Sequence, residues 1–231
     1  MLGIAVMPTR GAEAPEGYPM TSKTLQNRVN PWGSLCAVPS RGTLMGNRGI
    51  LHDDRNAIIK PWAHKAWVTC LLEFKGIKRS RPFSPGTYSE LFFLDEATAF
   101  AAGHRPCASC QRARHLEFKD AWVRGNLPGK LPAAVDMKDV DKVIHAERAV
   151  SGGGKRTYDA QLVELPHGAI FEHEDVAYLV TSKGYLPWSF GGYGAQRSIY
   201  ALTLVKVLTP RSIVRAFDAR LVPIVHQSAN P

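Results

Sequence analysis

Cysteine is scarce in this sequence: four among 231 residues, of which only Cys107 and Cys110 lie close together. A secreted disulfide framework needs more cysteines at tighter spacing, so the pattern excludes that class and fits a reducing, cytoplasmic setting. Long apolar runs are also lacking; none approaches the roughly 20 residues that span a bilayer, and no membrane partner is expected. The opening Met1–Val6 is apolar, but no basic residue precedes it and Pro8 interrupts it, which argues against a signal peptide. Acidic residues are outnumbered, 20 Asp and Glu against 29 Lys and Arg, for a formal net charge of +9. That balance favours an anionic partner such as nucleic acid or phosphate, although a protein can be basic without one. No internal repeat or low-complexity run is present.

What is there divides into four stretches. Residues 1–23 carry Pro8, Gly11, Pro15, Gly17 and Pro19 with few large apolar groups, and read as a flexible tail. Residues 24–127 hold strands, glycine-rich turns, the cysteine pair and a basic helix. Residues 128–154 form a linker and a helix capped by Asp136, and residues 155–231 are rich in short strands. The fold class expected is α+β.

Within the second stretch, Ser34–Val38 reads as a short strand. The segment from Arg41 to His52 reads as a hairpin turning at Gly46 and Asn47, or as glycines admitting a phosphate beside Arg41 and Arg48. No phosphate-loop pattern supports the latter. Trp67–Phe74 alternates as a strand, with Cys70 on the face of Val68, Leu72 and Phe74. A basic connection with Lys75, Lys78, Arg79 and Arg81 leads to a second strand, Tyr88–Leu94. Asp95 is placed to cap a helix over Ala97–Ala102, and Gly103 to end it in the left-handed conformation. A second helix is expected from Ser109 to Arg124, ended by Gly125. Further on, Asp141, His145 and Arg148 share one helical face, read as a solvated polar face ahead of a catalytic trio. Ile199–Leu208 is nearly continuous in apolar residues and reads as a central strand, followed by a helix with Thr209 as cap.

Cys107 and Cys110 carry the chemistry. Thiolates two residues apart chelate one Zn²⁺, and the N-terminal end of the following helix favours their deprotonated form. No thioredoxin-like strand precedes the pair, so a redox dithiol fits less well. Tetrahedral structural zinc takes four Cys or His ligands, and Cys70 is the natural third if its strand passes the pair.

Phe93-Leu94-Asp95-Glu96-Ala97-Thr98-Ala99-Phe100-Ala101-Ala102-Gly103-His104-Arg105-Pro106-Cys107-Ala108-Ser109-Cys110 resembles the second half of the zinc-binding domain of Ada, the bacterial methylphosphotriester-repair family. The resemblance spans roughly Trp67 to His115. It implies a strand-strand-helix-zinc-knuckle-helix core, joined here to a C-terminal β-rich region. It also implies two upstream cysteines four residues apart, the first a methyl acceptor. Cys70 matches the first place, but Phe74 stands at the second. The fourth ligand is therefore left to His104 or His52, with His64 and Cys36 as further candidates. Arg105 matches the family's arginine, which suggests phosphate contact, with packing beneath the knuckle as the equal alternative.

The function expected is a zinc-stabilised protein that binds nucleic acid, DNA ahead of RNA. Its phosphate contacts would come from Lys75, Lys78, Arg79, Arg81, Arg105, Arg112 and Arg114. Two alternatives stand beside it. Cys70 is then a zinc-activated alkyl acceptor (or another enzyme site is present), or the zinc supports a protein-interaction module.

Overall fold

The computed structural model describes residues 24–76 and 82–230. The expected tail over residues 1–23, and Lys78, Arg79 and Arg81, lie outside the described residues. Helices and sheets are both present, as the α+β expectation requires. Among the described residues, no helix is long and apolar enough to cross a membrane.

One six-stranded sheet comes from the N-terminal half: β1 (Arg28–Val29), β2 (Leu35–Cys36), β3 (Leu44–Asn47), β4 (Val68–Cys70), β5 (Leu91–Phe93) and β6 (Arg105–Pro106), in the order β2-β1-β5-β3-β4-β6. Helix α1 (Glu96–Ala101) sits between β5 and β6 in sequence. Helices α2 (Arg112–Asn126) and α3 (Met137–Arg148) follow. A second six-stranded sheet comprises β7 (Tyr158–Gln161), β8 (Ile170–His173), β9 (Val176–Thr181), β10 (Gly184–Ser189), β11 (Gly192–Tyr193) and β12 (Leu204–Val207), in the order β11-β10-β9-β8-β12-β7. Helix α4 (Arg211–Asp218) comes last.

Helix α1 joins the two sheets because its small residues present apolar surface all round. Every residue of it is buried. Ala99, with the C-cap Ala102, packs with Val29, Leu91 and Phe93 of the first sheet, while Ala97 and Ala101 pack with Ile170, Leu179 and Leu186 of the second. Asp95 caps the helix as expected, its Oδ1 accepting from the Thr98 amide at 2.8 Å. Its other oxygen accepts from the Tyr193 hydroxyl and the His226 amide, both at 2.9 Å, so one carboxylate ties α1 to β11 and to the C-terminal segment. The largest apolar cluster gathers Phe100, Phe118, Trp122, Ile144, Phe171, Val207 and Phe217. Packing therefore crosses the expected boundaries at 127 and 154.

Local expectations fared unevenly. The hairpin does not turn at Gly46 and Asn47: β3 runs through them, antiparallel to both β4 and β5. Gly46 is there because the Phe93 ring covers it, and an added Cβ would lie 2.3 Å from Phe93 Cε2. Strand β4 stops at Cys70, short of Phe74. Gly125 lies inside α2 rather than ending it, where the backbone of α4 passes so close that a Cβ would meet Arg215 O at 2.3 Å. Thr209 is no helix cap; its hydroxyl accepts from the Ile170 amide at 2.9 Å, and Pro210 takes the N-cap position.

Candidate metal centre

Parallel pairing of β4 with β6 builds the centre. Val68 registers with Arg105 and Thr69 with Pro106, so the next residue on each strand, Cys70 and Cys107, emerges side by side. The Cys107 amide donates to Thr69 O at 2.9 Å and extends the pairing by one rung. The chain then turns into α2. In that turn the Ser109 amide points at Cys107 Sγ at 3.4 Å, and Gln111 Nε2 returns to Thr69 O at 2.9 Å. The turn brings Cys110 back over the pair. The Sγ atoms of Cys70, Cys107 and Cys110 all lie within 4.8 Å of one another, and all three residues are half-buried.

That spacing fits a tetrahedral ion, whose bonds of about 2.3 Å to sulfur set sulfur–sulfur distances of about 3.8 Å. The electrostatics fit as well. Burial pushes the Cys70 thiol up, and the neighbouring Cys107 and Cys110 sulfurs push it further. Burial also raises Cys110. Cys107 is the exception: burial opposes its thiolate, but the amides of Cys110 and Ser109 outweigh that and bring it below the ordinary thiol value. Two reluctant thiols beside a willing one is an arrangement that a cation relieves, since binding replaces protons with a divalent charge. A cavity of about 170 Å³ opens beside the sulfurs, walled by Met45, Leu71, Leu72, Phe74, Tyr88 and Ser109.

Neither histidine expected as fourth ligand belongs to this cluster. His104 is fully buried beside Trp67 and Phe93, with ring centroids 5.2 and 4.6 Å away, and its Nε2 accepts from Arg48 Nε at 3.2 Å. Burial, with Arg48 and Arg148 nearby, holds it well below the usual imidazole range, hence neutral. His52 stacks on Phe83 at 4.6 Å and bonds through Nδ1 to Ser89 Oγ at 2.6 Å. Cys36 is on β2, at the edge of the sheet opposite β6, where burial raises its thiol. Among the described residues, no fourth Cys, His, Asp or Glu joins the cluster.

The expected phosphate contacts divide. Lys75 and Arg112 are exposed. Arg105 is not available: its side chain is buried and donates from Nε and Nη2 to both carboxylate oxygens of Asp141, at 2.8 Å each. Arg114 is held between Glu96 and Glu117, and also donates to Val222 O at 2.7 Å. These pairings also revise the reading of α3. Asp141 and Arg148 are buried, so that face is an interior one.

Sequence reading missed a second constellation, Arg48, Trp62, Trp67, Arg148 and Lys155, which converges from four separate segments. No spacing rule links them: Arg48 lies far in the chain from Arg148 and Lys155, and the two tryptophans lie between. No protein-family model matches this chain, nor does any curated protein or solved structure.

Proposed function

We propose that this is a zinc-stabilised protein that binds nucleic acid, DNA ahead of RNA, through its exposed basic surface. The convergence of Cys70, Cys107 and Cys110 carries the metal half of the reading. Zinc held by these thiolates clamps the end of β4 to the turn that starts α2, joining segments 37 residues apart where β4 and β6 contribute few hydrogen bonds. The ion supplies charge neutralisation and a rigid cross-link; the protein supplies the thiolates and the amide donors around Cys107. The nucleic-acid half rests on the net charge of +9 and on Lys75 and Arg112, which flank the centre and remain free of acidic partners among the described residues.

The test is metal analysis of the purified chain together with salt-dependent binding to duplex DNA and to RNA. One equivalent of zinc, lost in Cys107→Ser, and an affinity that falls with rising salt are expected. Absence of zinc ends the first half, and salt-independent or absent binding ends the second.

A second reading is favoured by one observation: three sulfurs beside a cavity leave the fourth corner open, as in zinc sites that do chemistry. Cys70 is then an alkyl acceptor. Its thiolate sulfur forms the bond to a methyl carbon, the carbon–oxygen bond breaks, and a phosphodiester anion leaves. A mass increase of one methyl group on Cys70 after exposure to methylphosphotriester DNA is the expected sign; an unmodified Cys70 removes this reading.

A further inference from the structure

Away from the metal centre, a cavity of about 310 Å³ opens between the first sheet and the C-terminal end of α3. Its charged lining is wholly cationic: Arg48, Arg148, Lys155 and, at the exposed rim, Lys60, with the neutral Gln26 and Ser34 beside them. Arg48 and Arg148 are each only 2% exposed, and their guanidinium carbons lie over the Trp67 ring at 4.1 and 3.7 Å from its centroid. Lys155 completes the set, half-buried, its ammonium donating to Ala101 O.

Among the described residues, none of the three has an acidic partner. Arg48 Nη1 donates to Gly33 O at 3.0 Å and its Nε to His104, while Nη2 has no partner among the described residues. Arg148 donates to the carbonyls of Gly103 and Lys65, and its Nε is likewise unpartnered. The acidic group that acts on Arg148 is Asp141, which is already committed to Arg105 through both oxygens. The surrounding histidines add no further charge. His104 is held neutral, and burial with Arg148 and Lys65 nearby pushes His145 down to about 4. Buried charge without a counter-charge is strongly unfavourable, so a fold that gathers three cations around one cavity is built to receive an anion there. Guanidinium groups with free N–H donors match the oxygens of a phosphate, and three positive side chains match a dianion.

Much of the rest of the wall is apolar, with Trp32, Trp62, Ile58, Ile59 and Pro61 prominent in it. Trp62 stands with its ring 5.8 Å from Trp67 and is half-buried, so it offers an aromatic surface beside the cationic floor. The volume is at the small end of ligand pockets.

We propose that this cavity binds a phosphate monoester attached to a planar ring, a single nucleotide unit, with Arg48, Arg148 and Lys155 around the phosphate and Trp62 against the ring. The nucleotide comes either free or as the 5′-phosphorylated end of a strand. This site is separate from the metal centre and does not depend on it.

Calorimetric titration of the full chain tests it with inorganic phosphate, adenosine, adenosine 5′-monophosphate, and a tetranucleotide with or without a 5′-phosphate. The monophosphate should bind at least about tenfold more tightly than phosphate or adenosine alone. Lys155→Met should lower that affinity about tenfold while its circular dichroism stays that of the parent. Trp62→Ala should remove the advantage of nucleotide over phosphate. Preference for the phosphorylated tetranucleotide over the free nucleotide assigns the strand end; the reverse assigns the free nucleotide. No binding by any phosphate-bearing probe below about 1 mM, or unchanged binding by Lys155→Met, overturns the site. Equal affinity for phosphate and nucleotide overturns its aromatic half.

Discussion

Arg105 and Asp141 lock the cysteine turn to helix α3. Two parallel hydrogen bonds of 2.8 Å join the guanidinium to both carboxylate oxygens, and their side chains are only 9% and 7% exposed. Arg105 immediately precedes Pro106 and Cys107, so this pair holds the peptide that delivers one thiolate. Its neighbour His115 adds a second hold, with Nδ1 3.1 Å from Pro106 O.

Breaking that pair on one side leaves a buried charge. Asp141→Asn should destabilise the protein by about 3 kcal/mol, a fall in melting temperature of roughly 6–12 °C for a chain of this size. Arg105→Met with Asp141→Leu should cost less than either single change, because no uncompensated charge remains. Thermal melts of the three variants decide it. If the double variant is as unstable as the sum of the singles, the pair is not coupled as its geometry indicates.

The sequence made the local half of this site readable and left the long-range half hidden. Asp95 as cap, Gly103 at φ +81° and the Cys107–Cys110 spacing are local signals, and each is realised. Cys70 was also readable, since a strand carrying it was available to pair. The choice for Arg105 between phosphate contact and packing stayed open in the sequence because its partner lies 36 residues away, on a face that reads as solvated. His104 was a candidate ligand from its place three residues before Cys107, and His52 from its place at the end of the glycine-rich segment. The structure sets the first among Trp67, Phe93 and Arg48 and the second against Phe83 and Ser89. Gly103 carries Arg148 across it, with Cδ only 2.2 Å from where a Cβ would stand, a constraint that spacing alone does not reveal.

Gly125 gives a prediction whose sign opposes helix propensity. Alanine in place of a helical glycine ordinarily stabilises by about 1 kcal/mol. Here the added Cβ would stand 2.3 Å from Arg215 O and 2.7 Å from its carbonyl carbon, backbone atoms of α4 that cannot rotate away. Gly125→Ala should therefore destabilise by about 2 kcal/mol, forcing α2 and α4 apart. Denaturant unfolding reads the difference, and a stabilised variant would show that the helices separate at little cost.

Nucleic-acid binding can be divided between residues. Arg112→Ala and Lys75→Ala should each weaken duplex binding and reduce the slope of log affinity against log salt by about 0.9, one phosphate contact apiece. Glu117→Gln should leave that slope unchanged if Arg114 stays with Glu96. Titrations at several salt concentrations separate the two behaviours, and a slope indifferent to Arg112 and Lys75 would move the interface elsewhere on the molecule.

Lys155 makes stability depend on pH in a direction opposite to most surface lysines. Burial, with Arg148 and Arg48 close by, pushes it from an ordinary value of 10.5 down to about 7. Between pH 7 and 10.5 the unfolded chain thus holds a proton at this site that the folded chain has released. Stability rises with pH wherever the unfolded state binds more protons, so this group makes the folded protein gain stability as pH climbs above 7. Below that it is charged in both states and contributes no slope. Arg48, lowered to about 9 by burial, acts in the same direction only at higher pH. The raised thiols of Cys70 and Cys110 would act the other way without metal, and with zinc bound they would add a climb of their own because unfolding re-protonates them, so parent and variant are compared at the same zinc loading. Denaturant midpoints at pH 7.0, 7.75 and 8.5 should climb more steeply in the parent than in Lys155→Met, the difference being the Lys155 contribution. Saturating adenosine 5′-monophosphate should bring the parent slope down to that of the variant, because a bound dianion holds the ammonium charged. A parent slope unchanged by the substitution would place the titrating group elsewhere.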